Sequence, residues 1–272
     1  MTSSKTSSDI FKAGSTTYYY ASRFFPKQIR NDVAAVYAFV RVLDDYVDQV
    51  PQDVEGFEAH ITDYRKETSE RTVNKRFKDV ARRQGFEQEW VDAFFESMRM
   101  DIDKHVYQDF GELKTYIYGS AEVIGLMMTR IMGVSEEYDD EAAMLGRAMQ
   151  YINMIRDIGF DQDLGRTYIP QTEIMNAGLT GLEEHEARRH PEKFKSLVRE
   201  EIHRYKEWSR EGRSALHALP GPCRVAVKTA SDMYNWTADA LLEDPFKVYE
   251  TPLKPSRARV LLQGGKNTLP WY

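Results

Sequence analysis

Two stretches of this sequence place oxygen-bearing side chains at helical spacing. In residues 33–48, VAAVYAFVRVLDDYVD, a helix turning about 100° per residue sets Tyr37, Arg41, Asp44 and Asp48 on one stripe, within roughly 60° of each other. Val33, Val36, Val40, Leu43 and Val47 flank the stripe. Ala34, Ala35, Ala38, Phe39, Val42 and Tyr46 cover the rest, with Asp45 alone among them. A helix apolar nearly all round belongs in a domain interior, and unpaired buried charge is costly. Three arrangements answer that cost: a structural salt bridge from Arg41 to Asp44 or Asp48, an ordinary surface face, or a cavity in which the carboxylates hold a divalent cation. Hard cations such as Mg2+ take oxygen ligands and are commonly shared with substrate phosphates, which Arg41 would also contact. The third arrangement is favoured.

A second stretch repeats the pattern. In residues 146–161, GRAMQYINMIRDIGFD, Gly146, Gln150, Asn153, Asp157 and Asp161 share an arc of roughly 80°. Met149, Tyr151, Ile152, Met154, Ile155 and Ile158 occupy most of the remainder. Two such helices facing each other make a cavity with acidic patches on opposite walls, suited to several Mg2+ ions and two diphosphates.

The runs YYYASRFFP (18–26), YAFVRVLDDYVD (37–48) and QYINMIRDIGFDQDLGRTYIP (150–170) closely resemble the squalene and phytoene synthases. Those head-to-head prenyl synthases carry an aromatic N-terminal segment, a YxxxRxxDDxxD-type motif and an NxxRDxxxD…GRxYxP motif, here in the same order. The resemblance implies an all-α isoprenoid-synthase fold around a deep cavity. It also implies Asp44, Asp48, Asn153, Asp157 and Asp161 as metal ligands for Mg2+, with Mn2+ as a substitute. Arg41 and Arg166 would lie on the diphosphates, with Arg166 and Tyr168 at the cavity mouth on a closing loop, and Gln150 and Asn153 among the substrate-binding residues. Ser15 and Thr17 would lie near a diphosphate, and Tyr18 would line the prenyl pocket; an N-cap with core aromatics is the alternative for that segment. Tyr37, Tyr116 and Tyr234 are candidates to orient the intermediate, the last two from family position.

Composition sets the outer bounds. The 272 residues are 42% hydrophobic with net charge -6 and a single cysteine. That permits one large core and gives no zinc or disulfide signature. No window reaches 18 uninterrupted apolar residues and MTSSKTSSD lacks a signal-peptide core, so a cytoplasmic location is expected, with the Pro-rich tail a candidate for peripheral membrane contact. Nucleic-acid binding is disfavoured. The oligomeric state is not legible.

Helical periodicity is nearly unbroken and no strand alternation or nucleotide loop is found, which predicts one all-α domain over 1–272. Residues 1–9 are expected frayed and 10–25 helical. Outer amphipathic helices are expected over 54–71, 74–84 and 88–105, with His105 a surface residue. Residues 113–133 form a nearly charge-free helix whose Gly119, Ala121 and Gly125, with Gly146 opposite, either leave room for an isoprenoid chain or permit close helix packing. Met127, Met128, Met149 and Phe39 are candidates to close the pocket floor. Residues 162–170 are irregular, Gly178 and Gly181 keep the next segment loose, 191–219 and 224–243 are helices, and 245–272 is mostly loop with a helix at 256–263.

The implied reaction is condensation of two geranylgeranyl diphosphates, through a cyclopropylcarbinyl diphosphate, to phytoene. Neither a C-terminal anchor nor an NADPH site is recognised, so NADPH is not expected and the character is that of a prokaryotic phytoene synthase. Squalene or dehydrosqualene synthesis from farnesyl diphosphate is the alternative. A terpene cyclase and an inactive assembly factor are further ones, the last disfavoured because all four aspartates are intact. The proton acceptor is left between the released diphosphate and a tyrosine network.

Overall fold

The long apolar helix predicted around residues 33–48 is α3 (Lys27–Asp48), and the chain wraps around it. In the computed structural model, which describes residues 6–250 and 253–269, the elements before it are α1 (Ser7–Gly14) and α2 (Thr16–Ala21). The N-terminal expectation needs correcting: Thr6 and Asp9 form a reciprocal capping box, so residues 7–9 are helical, while residues 1–5 lie outside the described residues. The predicted single helix over 10–25 is broken at Ser15, whose side chain caps α2 by accepting from the Tyr18 backbone N–H.

After α3 come α4 (Val54–Arg65), α5 (Thr72–Gln84) and α6 (Gln88–Asp103). The first ends six residues before its predicted limit, where Asp63 turns its carboxylate onto the backbone N–H groups of Glu70 and Arg71. Next, α7 (Phe110–Ile117) runs through a π-turn at Tyr118–Glu122 into α8 (Val123–Met132), which ends on left-handed Gly133. The second acidic stretch spans α9 (Asp139–Arg156) and α10 (Ile158–Asp163), with one interruption at Asp157. The segment expected to be loose contains α11 (Gln171–Asn176) and α12 (Glu184–Arg189). Two long helices follow, α13 (Pro191–Arg213) and α14 (Gly221–Glu243). The tail is more ordered than expected: a 3-10 turn at Pro245–Tyr249 precedes α15 (Arg257–Asn267), capped by Ser256. Pro252 and Pro270 lie outside the described residues.

Among the described residues the only β pairing is an isolated bridge between Val106 and Thr167, and no helix is long and apolar enough to cross a membrane. Besides a small cluster of Ala21, Ala230, Met233 and Val260, burial among the described residues separates into two large apolar clusters. One joins α3 to α4, α5, α6 and α8 through Phe39, Phe57, Phe77 and Phe95; Phe39 stacks on Phe77 with ring centroids 3.9 Å apart. The other joins α7, α9, α13 and α14 through Ile152, Ile155, Phe194 and Leu241. Each acidic helix is thus rooted in its own core, and its polar stripe is the side left over.

The small residues serve close packing, and Ala121, Gly125 and Gly146 also line a cavity, so both readings hold there. A Cβ added at Gly119 would sit 2.1 Å from the Ala93 carbonyl oxygen, one at Gly125 2.3 Å from that of Ala142, and one at Gly146 2.5 Å from that of Ala121. These glycines let the π-turn approach α6 and α9, and α8 approach α9, backbone to backbone. Of the four candidate floor residues, Met127 and Phe39 belong to the core, while Met128 and Met149 line a cavity.

Candidate active site

Two cavities meet between α3 and α9. The larger, about 780 Å³, is the more polar and carries all the charged groups; the smaller, about 300 Å³, is mainly apolar. Tyr18, Tyr37, Val40, Ser120, Gln150 and Asn153 border both. Every site residue expected from the sequence lines the polar chamber: Ser15, Thr17, Tyr18, Tyr37, Arg41, Asp44, Asp48, Tyr116, Gln150, Asn153, Asp157, Asp161, Arg166, Tyr168 and Tyr234. The two helical stripes therefore do face one another across a shared space.

The α3 wall is largely neutralised by protein groups. Arg41 sits 3.1 Å from Asp44 and also pairs with Asp45, so the salt bridge and the cavity coexist. Arg166 departs from expectation. It is 5% exposed rather than on a loose mouth loop, because its guanidinium donates to Asp48 Oδ1 at 2.8 Å and to the carbonyls of Val47 and Asp101. Those carbonyls end α3 and α6 and lack helical partners. Gln52 Nε2 bridges the same two at 2.8 and 2.9 Å.

The opposite wall is less satisfied. Asp157 is gripped by the neighbouring Arg156 at 2.5 and 2.8 Å. Asp161 has no ion pair within 4 Å among the described residues, and burial, then Asp157 and Asp48, push its carboxyl up to about 8. Burial, then Asp48, likewise holds Asp44 above the usual carboxylate range against the pull of Arg41. Asn153 Oδ1 is buried with no hydrogen-bond partner.

These features fit divalent cations. Six carboxylates line the chamber against four cationic side chains, and three of those cations are already paired with aspartates. An orphaned buried oxygen on the same wall as a raised, unpaired carboxylate is a donor set that a hard cation satisfies. Among the described residues no three carboxylate or His/Cys groups crowd together into a self-contained metal cage. Donors split between two walls suit ions that complete their shell with substrate phosphates.

Ser15 and Thr17 combine the two readings offered for them: Ser15 Oγ caps α2, and both residues line the chamber. Tyr18 packs on Tyr234 with ring centroids 5.7 Å apart, and burial raises both phenols. Tyr37 stacks on Phe11 at 4.4 Å. His105 is exposed, as expected.

Sequence reasoning missed Arg156, Lys254 and Asp101, all in the chamber lining. Asp101 is 2% exposed and accepts from Tyr116 Oη at 2.8 Å and Tyr168 Oη at 2.7 Å. Its signal was present: Phe94, Met98 and Asp101 lie at i, i+4 and i+7 of α6, so a carboxylate ends an apolar stripe.

Known proteins resemble this chain in sequence and in fold. The squalene/phytoene synthase family profile matches residues 11–263. Phytoene synthase 2 of Solanum lycopersicum is 27% identical over 90% of this chain and 87% of its own length. The 15-cis-phytoene synthase of a Paracoccus species is 32% identical over 64% of this chain and 62% of its own. Among solved structures, a dehydrosqualene synthase superposes with TM-score 0.83 at 20% identity, over 96% of this chain and 93% of the other. The squalene synthase HpnC from Alicyclobacillus acidocaldarius gives 0.76 at 21%, over 88% and 93%. At those identities the structural likeness establishes the fold, the all-α isoprenoid-synthase arrangement.

Proposed function

The chain belongs to the squalene/phytoene synthase family of prenyltransferases, and from that premise we propose that it joins two geranylgeranyl diphosphates head to head into phytoene, acting as one domain over 1–272. The observation that carries this reading is the junction of the two cavities. A polar chamber with acidic walls suits the diphosphate heads, and an apolar cavity opening from it suits the prenyl tails.

Mg2+, or Mn2+ in its place, held by Asp44, Asp48, Asn153, Asp157 and Asp161, would neutralise the charge that develops on departing diphosphate oxygens. Arg41 lies beside those oxygens, and Arg166 holds Asp48 in place from behind. The first C–O bond breaks to an allylic cation. The double bond of the second prenyl chain attacks it, and loss of a proton closes the cyclopropane. The second diphosphate then leaves, the skeleton rearranges, and a second proton is lost to form the central double bond. Val36, Val40, Met128, Leu145 and Leu219 wall the apolar cavity and keep water from the cations. No reductant is needed for this outcome, and NADPH has no part in it.

The apolar cavity follows α9 from Ala142 to Asn153, about 16 Å at 1.5 Å per residue, room for an extended prenyl tail. Each extra CH2 buried there adds roughly 0.8 kcal/mol. Competition between geranylgeranyl and farnesyl diphosphates with Mg2+ and no NADPH tests the proposal. Phytoene is expected to dominate the extract; dominant dehydrosqualene would overturn the substrate assignment, and a cyclic terpene the reaction class.

A further inference from the structure

Asp101 stands outside both acidic motifs, yet more of the chamber converges on it than on any of the aspartates in those motifs. Its carboxylate takes the phenol protons of Tyr116 and Tyr168, one on each oxygen, at 2.8 and 2.7 Å. The two tyrosines come from α7 and from the segment after α10, so they share no backbone that would orient them together. Their rings lie 5.3 Å apart, and Tyr107 packs against both. The backbone at Asp101 is fixed as well, since its carbonyl accepts from Gln52 at 2.9 Å and Arg166 at 3.2 Å.

A phenol can act as a donor or as an acceptor. Committing its proton removes the first option. On the premise of the condensation reading, we propose that Asp101 is a positioning residue: by accepting both phenol protons it leaves the Tyr116 and Tyr168 oxygens with only lone pairs to offer the chamber they line. Such oxygens present negative dipoles to the allylic positive charge left when a diphosphate departs, and they have no proton to hold the departing group or to order a water for attack. Dipoles fixed before the charge appears cost no reorganisation when it does. The carboxylate acts through the tyrosines.

Asp101→Asn tests this, because the amide keeps the volume but can accept from one phenol only and must donate to the other. The expected result is a kcat lowered 30-fold or more, KM for the prenyl diphosphate within threefold, and a larger share of prenyl alcohols formed by water capture. In a Tyr116→Phe/Tyr168→Phe background the same substitution is expected to cost less than threefold further, since the groups it acts through are gone. Turnover within threefold of wild type in Asp101→Asn would overturn the inference. So would an equal loss in both backgrounds, which marks general structural support. Should Asp101→Asn fail to fold by its melting curve, the double phenylalanine variant decides: wild-type kcat and alcohol fraction there would overturn it. Wild-type protein run alongside separates the two levels, since absence of any hydrocarbon from it sinks the condensation reading itself.

Discussion

The two acidic walls of the chamber are built from similar sequence patterns and finished differently. On α3, Asp44 and Asp48 sit one turn apart on an unbroken helix, and each has an arginine partner, Arg41 or Arg166. On the facing wall the helix is interrupted at Asp157, Asn153 Oδ1 has no partner, and Asp161 has no arginine within ion-pair distance among the described residues. One wall gives each motif aspartate an arginine partner, though Arg41 is shared with Asp45 and Asp44 stays raised. The other is left incomplete in a way that a ligand's cations complete. Similar motifs can therefore divide labour between stability and binding.

Breaking each wall with the same isosteric change should expose the difference. Asp161→Asn and Asp48→Asn are each expected to lose nearly all turnover, at least a hundredfold, in the extraction assay. Their melting curves in chelator should differ. Asp161→Asn removes a carboxylate crowded by like charge, so its Tm holds or rises. Asp48→Asn leaves the guanidinium of Arg166 without its anion. A fully buried pair broken this way costs roughly 3–5 kcal/mol, and since Asp48 is about a third exposed a loss on the order of 2 kcal/mol is expected. Equal Tm shifts would erase the distinction between the walls.

A smaller effect is expected at Asn153. Its unpartnered oxygen lies on the less satisfied wall; on the proposed ligand set, Asn153→Ala should raise the Mg2+ concentration for half-maximal turnover on the order of tenfold. The melting temperature in chelator should change little, because a buried oxygen without a partner contributes desolvation cost rather than stability. An unchanged Mg2+ titration would remove Asn153 from the ligand set.

The smallest effect lies behind the α9 wall. Glu201 on α13 is 1% exposed and accepts from Tyr151 on α9 at 2.5 Å. Arg204 on its own helix and Glu173 on α11 are the other charges facing it. Burial raises the Glu201 carboxyl above its ordinary value despite Tyr151 and Arg204. The folded state then holds a proton that the unfolded state releases earlier, so this group's contribution to stability falls as pH rises from the unfolded value of about 4.5 through the raised folded one. Glu201→Gln removes that slope. Its Tm relative to wild type should climb between pH 4 and pH 7, within the roughly 0.5–3 kcal/mol span of single substitutions; a flat difference would show that folding leaves this carboxyl as it is in the unfolded chain, and a falling one that it ionises more readily when folded.

The helical stripes were legible because helix periodicity alone fixes which side chains share a face. Tyr37, Arg41, Asp44, Asp48, Gln150, Asn153, Asp157 and Asp161 all reach one chamber. What the periodicity could not supply was the pairing across elements. Arg166 reads as a mouth residue because glycine and proline flank its segment, yet two helix-end carbonyls and Asp48 draw it inward. Asp101 hid in a helix read as an outer one. The glycines of the charge-free helix fit open volume and close packing equally well, and only neighbouring backbones placed beside them show the packing.

One such glycine lies where the tail meets the second wall. A Cβ on Gly159 would fall 2.6 Å from the Val248 carbonyl oxygen and 3.1 Å from Tyr249 Cα, so α10 rests directly on the turn at Pro245–Tyr249. That turn is tied down in its own right, by Tyr249 Oη donating to the Leu182 carbonyl at 2.7 Å and by the Phe194 ring. The arrangement works as a strut: a turn some ninety residues downstream sets the height at which Asp161 meets the chamber. Lengthening one side chain at the contact would translate the Asp161 carboxylate without altering any residue that lines the chamber.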